Sequence, residues 1–80
     1  MYYTYILLSK RNEDLYIGST ENVENRLSLH NTGKVKSTKA YNPWILLGFE
    51  TFSTRSEAVR REKLLKNHQQ QEILKNKYHI

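Results

Sequence analysis

Apolar runs separated by polar breaks divide the chain into short segments. Tyr2 to Ser9 is rich in Tyr, Ile, Thr and Leu, the composition of a buried strand. Lys10 to Asp14 is a polar turn, and Leu15 to Ser19 is a second short strand that closes an antiparallel hairpin. Glu21 and Asn22 offer an N-cap for a helix from Val23 to about Asn31, and Gly33 is its stop. Lys34 to Asn42 shows no period and reads as an exposed loop ended by Pro43. Trp44 to Phe52 is a third strand, with Ile45, Leu47 and Phe49 expected on one side of its alternation. Thr54-Arg55-Ser56-Glu57 has the capping-box pattern for a helix from about Arg55 to Asn67, and Gln69 to Lys77 is a weaker, polar final helix. The expected fold is α+β, a small three-stranded antiparallel sheet flanked by helices, in the order β-β-α-β-α-α.

Length and composition narrow this further. Eighty residues accommodate one domain, taken as residues 1–80, and the absence of cysteine excludes disulfides and thiolate metal sites. The apolar start of the chain is too short to cross a bilayer and lacks a basic n-region and cleavage site, so a cytoplasmic protein with no membrane partner is expected. The formal charge of +5 favours a polyanionic partner, because Lys and Arg release counterions when they meet phosphates.

Polar groups interrupt the helical stripes. Val23, Arg26, Leu27 and His30 fall at i, i+3, i+4 and i+7, as do Ala58, Arg61, Glu62 and Leu65. The plain alternatives are a surface ion pair of Glu62 with Lys66, worth about 0.3–0.5 kcal/mol, a snorkelling Arg26 and an ordinary helix-end histidine at His30. Four of the six tyrosines, Tyr2, Tyr3, Tyr5 and Tyr16, lie in the hairpin. If the turn pairs Tyr5 with Gly18 and Leu7 with Tyr16, then Tyr5 and Tyr16 share a face, roughly 7–8 Å apart. A slip of one residue places them on opposite faces.

Tyr3-Thr4-Tyr5-Ile6-Leu7, Tyr16-Ile17-Gly18-Ser19-Thr20, Arg26, His30, Glu57-Ala58 and Glu62 together resemble the GIY-YIG nuclease superfamily, over nearly the whole chain and in the right order. Small stand-alone bacterial members are closest in character, and the excision-repair subunit UvrC carries a related domain. The resemblance implies that Tyr5 and Tyr16 are the tyrosines of the two half-motifs, that Arg26 is the active-site arginine, and that Glu62 holds one divalent ion. His30 matches a position where family members carry histidine or tyrosine. Tyr3 replaces the glycine of the first half-motif. Ser19 stands where UvrC-like members have lysine, which removes one cation that could assist proton transfer.

The implied activity is metal-dependent hydrolysis of nucleic-acid phosphodiesters, with DNA the expected polymer and repair or recombination the expected setting. One Mg²⁺ or Mn²⁺ on Glu62 would polarise the phosphate, and a single carboxylate suffices for magnesium when waters and phosphate oxygens complete its shell. Arg26 would face the non-bridging oxygens, and a tyrosine, with Tyr5 preferred, would take a proton from the attacking water. Gly18 would allow close approach of substrate, while Ser19, Lys34, Lys36, Lys39 and Lys66 would contact it, with Arg60, Arg61 and Lys63 as further phosphate grips. The runner-up is a non-catalytic nucleic-acid-binding module of the same fold, and a third reading is an adaptor that meets an acidic protein. A monomer is expected in each case.

Overall fold

A computed structural model describes residues 1–80. Strands β1 (Tyr2–Ser9), β2 (Leu15–Thr20) and β3 (Trp44–Phe52) form one antiparallel sheet in the order β2-β1-β3. Helices α1 (Val23–Asn31), α2 (Arg55–Leu65) and α3 (His68–Lys77) complete the expected β-β-α-β-α-α order. No helix is long and apolar enough to cross a membrane.

Because β1 is central, its two faces feed two separate cores. Ile6, with Ile17 of β2, packs against Leu65 of α2 and Leu74 of α3. Tyr5 and Leu7, one residue out of phase, pack with Trp44 against Val23 and Leu27 of α1. The sheet is therefore covered by α1 on one face and by α2 and α3 on the other, which explains why β1 reads as a nearly unbroken apolar run.

Local signals account for the helix ends. Asn22 caps α1 through its side chain, which accepts from the Asn25 amide, and Gly33 follows the helix at φ 75°. Thr54 and Glu57 form the reciprocal capping box of α2. The second helix stops at Leu65, shorter than expected, because Asn67 caps a new helix with its own side chain.

Two expectations fail. The third strand does not keep Ile45, Leu47 and Phe49 on one side. Leu8 pairs with Ile45 and Leu7 with Leu46, but Ile6 pairs with Gly48, so a bulge inserts Leu47 and reverses the alternation. Leu47 packs against the α2/α3 core, while Phe49 joins Tyr3 on the other face, ring centroids 5.6 Å apart. Nor is residues 34–42 a uniformly exposed loop. A short 3₁₀ turn spans Lys39–Tyr41, and Thr38 before it is fully buried. Its carbonyl accepts from Trp44 Nε1 at 3.0 Å, and Asn31 braces both backbone groups of Trp44, accepting from the amide at 2.6 Å and donating to the carbonyl at 2.9 Å.

Adjacent leucines test this account of the core. Leu65 is 2% exposed and Leu64 is 49% exposed. Leu65→Ala should lower the unfolding free energy by about 2–5 kcal/mol, whereas Leu64→Ala should change it by no more than about 0.5 kcal/mol, read from urea denaturation.

Candidate active site

The hairpin register is the one that places both tyrosines together: Tyr5 pairs with Gly18 and Leu7 with Tyr16. Their ring centroids are 6.4 Å apart. His30, from the last turn of α1, packs edge-on against both, at 5.9 Å from Tyr5 and 4.8 Å from Tyr16. Trp44 closes the far side of Tyr16 at 6.1 Å.

Gly18 is required by Tyr5. A Cβ at position 18 would lie 2.3 Å from the Tyr5 hydroxyl oxygen, so the tyrosine occupies the space that the missing side chain leaves. The hydroxyl then reaches His30 Nε2 at 3.0 Å, and His30 Nδ1 lies 2.7 Å from Thr38 Oγ1. The Thr38 hydroxyl also lies 3.3 Å from the Val35 carbonyl. Tyr5, His30 and Thr38 thus form one buried hydrogen-bonded chain. The Arg26 guanidinium lies beside the Tyr5 hydroxyl.

Burial sets the protonation of this chain. It pushes the Tyr5 phenol up to about 12, with the adjacent Arg26 acting in the opposite direction and too weakly to offset it. Burial also lowers His30 to about 4, and the positive charge of Arg26 adds to that shift. His30 is thus a neutral, fully buried imidazole, so the reading of a helix-end histidine charged by the dipole does not hold.

Glu62 approaches from the other face of the sheet. The Ser19 hydroxyl donates to its Oε1 at 2.7 Å, and Lys66 Nζ lies 2.8 Å from Oε2. Lys66 also stands 5.9 Å from the Tyr16 ring centroid. The i,i+4 ion pair expected as the plain alternative is thus present, yet the carboxylate is only 20% exposed and is also anchored to β2. Residues from both faces meet because β2 is an edge strand: Glu62 and Lys66 reach its border from α2, Arg26 and His30 from α1.

No group of three or more His, Asp or Glu side chains is gathered anywhere, and Glu62, held against Ser19, is the carboxylate a metal at this edge would use. The donor set suits that arrangement, since a hard divalent cation completes its shell with water and phosphate oxygens.

The lysines of the loop, Lys34, Lys36 and Lys39, are all exposed and in no ion pair, on the segment whose Thr38 holds His30. Arg61 is otherwise engaged: its guanidinium holds Glu50 of β3 through contacts of 2.7 and 3.2 Å, away from the β2 edge. Thr38 went unnoticed in the sequence, because a threonine in an aperiodic polar loop carries no signal of burial.

The GIY-YIG catalytic domain model matches residues 1–79. A UPF0213 protein of Staphylococcus haemolyticus is 47% identical over 75 residues, covering 92% of this chain and 90% of that protein. A UPF0213 protein of Oceanobacillus iheyensis is 41% identical, covering 81% and 76%. The solution NMR structure of a UPF0213 protein from Bacillus halodurans is similar with a TM-score of 0.56 at 33% identity, covering 92% of this chain and 82% of that one.

Two outcomes check the geometry. Gly18→Ala should destabilise by about 1–3 kcal/mol through overpacking against Tyr5, and Tyr5→Phe, which removes the clashing oxygen, should recover part of that loss in a double-mutant cycle. His30 has a lower pKa folded than the ordinary 6.5 of the unfolded chain. Between about pH 6.5 and 4 the unfolded chain binds a proton that the folded protein refuses. Its contribution is therefore fully present above pH 6.5 and is lost as pH falls, by about 3 kcal/mol in all. Urea midpoints of the wild type and His30→Gln, compared across that window, should show this dependence only in the wild type.

Proposed function

The chain belongs to the GIY-YIG catalytic domain family, and on that premise we propose that it is an endonuclease that hydrolyses nucleic-acid phosphodiesters, DNA foremost, at the β2 edge. The observation that carries this reading is the convergence of Tyr5, Tyr16, Arg26, His30 and Glu62, from two faces of the sheet, on one strand border.

Glu62, steadied by Ser19, is the residue that would hold one Mg²⁺ or Mn²⁺. Such an ion supplies Lewis-acid stabilisation of the phosphate charge. Arg26 sets its guanidinium against the non-bridging oxygens, where negative charge grows as the bond breaks. Tyr5 is assigned a positioning role, in place of the general base preferred from sequence alone. With a pKa near 12, only about one phenol in 10⁵ is ionised at pH 7. Its oxygen lies 3.0 Å from His30 Nε2 and beside Arg26, which suits holding Arg26 or a water in place. Tyr16 is only partly buried, with the Lys66 ammonium above its ring, and is the better candidate to take the proton of the attacking water. Lys34, Lys36 and Lys39 provide exposed cations for flanking phosphates.

Lys66 also favours a second reading. Its ammonium already neutralises Glu62, as expected in a non-catalytic nucleic-acid-binding module. The two readings separate on metal. Under the nuclease reading Lys66 competes with the ion, so Lys66→Met should bind Mn²⁺ more tightly than wild type, seen as NMR line broadening at Ser19 and Tyr16 at lower Mn²⁺. No broadening at the β2 edge in either protein would favour the binding module.

Cleavage is the direct test. In a Mn²⁺ screen against single-stranded, duplex and branched DNA and RNA, Arg26→Ala should cut about 10²–10³ more slowly, by analogy with the loss of one oxyanion donor. Glu62→Ala should lose at least as much, and the double variant should be little worse, since groups acting as a unit are not additive. Folded single variants that cut at the wild-type rate would remove both residues from the mechanism.

A further inference from the structure

Beside the reacting groups lies a cleft of about 480 Å³ that the mechanism leaves empty. It runs from Ser19 and Arg26, which belong to the site, to Tyr2 at the start of β1, Asn25 of α1 and Arg55 at the start of α2. Ligand pockets span roughly 300–1,000 Å³, so the space suits a small organic unit rather than a single ion. The ionised side chains that line it are Arg26, Arg55 and Glu21, a net positive set.

We propose that this cleft is a nucleotide subsite, which seats the nucleotide adjoining the scissile phosphate, with Arg55 on its phosphate and the Tyr2 ring against its base or sugar. The inference rests on the nuclease reading of the neighbouring site. Continuity supports it, because Ser19 and Arg26, which belong to the candidate site, also line this cleft, so a strand held at the site lies beside it. The chemistry of the lining points the same way. Glu21 sits beside the Tyr2 hydroxyl and raises its pKa, while Arg55 acts on the same hydroxyl in the opposite sense, so the three groups share one corner. A bare phosphate would be repelled by Glu21. A nucleotide offers phosphate to Arg55 together with sugar or base donors for the carboxylate, and an aromatic ring gives it a surface for stacking. Neither Arg55 nor Arg26 forms an ion pair, so both cations are available.

The test is binding of a short, fluorescent, mixed-sequence single strand to the full chain in EDTA, by anisotropy across a salt series. Arg55→Ala should weaken binding about fivefold and reduce the slope of log affinity against log salt by about 0.7, one single-strand phosphate. Asn25→Phe adds bulk to the cleft at an exposed helix position without altering charge. It should weaken binding at least as much and leave the slope unchanged. Arg11→Ala, in the hairpin turn at the opposite end of β1, should do neither. Circular dichroism confirms that each variant folds, and inorganic phosphate should leave the NMR signals of Tyr2 and Arg55 unmoved where the oligonucleotide shifts them. If the wild type binds the strand but Arg55→Ala and Asn25→Phe match Arg11→Ala, the cleft is not a subsite and the nuclease reading stands. Equal shifts with inorganic phosphate would reduce it to an anion site and overturn the nucleotide proposal. If the wild type neither binds nor cuts any strand, both readings fall together.

Discussion

The phenol of Tyr5, set into the gap above Gly18, is the contact on which the rest of the arrangement depends. A glycine on one strand and a tyrosine directly across from it on the next lock the hairpin register, because a slip of one residue would set the ring against a side chain. The same contact fixes the direction of the hydroxyl. Pressed between Gly18 and α1, it meets His30 Nε2, and the other ring nitrogen of His30 meets Thr38. One packing constraint therefore aligns two strands, a helix end and the loop after it, and sets the Tyr5 hydroxyl beside Arg26.

The cost of this rigidity is protonation. Every group in the chain from Tyr5 to Thr38 is withdrawn from water, and burial opposes charge on each: the phenol stays protonated and the imidazole stays neutral. The inner half of the site is thus a neutral, fully hydrogen-bonded frame with no buried polar atom left unpaired. Charge is confined to the rim, on Arg26, Glu62 and Lys66, where solvent and a phosphate can reach it. Such a division suits a surface that must meet a polyanion while holding its shape, because the frame does not reorganise when charge arrives.

The position at a sheet border follows from strand order. A central strand would have separated the residues of α1 from those of α2 by the full thickness of the sheet. Since β2 is short and lies at the edge, Glu62 needs only to lean past Ser19 to share a border with Tyr16 and Arg26. Ser19 matters to this geometry in a way its small size conceals, as it is the hydroxyl that holds the α2 carboxylate against the strand.

The amino-acid sequence by itself determined the elements and their order, the capping box at Thr54 and the N-cap at Asn22, while Tyr5, Tyr16, Arg26, His30 and Glu62 were joined in one constellation only through resemblance to a family. The elements and caps are local or periodic, since caps act within a turn and stripes recur along a helix, whereas the register that pairs Tyr5 with Gly18 was one of two the hairpin allowed. Tertiary structure alone decided the rest. The bulge at Leu47, which sends Phe49 to the opposite face, depends on how β3 meets β1 across many intervening residues. The burial of Thr38, and with it the neutral His30, arises because Trp44 and α1 close over a segment whose own sequence looks solvated. The engagement of Arg61 by Glu50 and of Glu62 by Ser19 depends on which face of α2 meets which strand. Charge and periodicity are written along the chain, but a pKa, a partner and a side of the sheet are set by neighbours that only folding brings together.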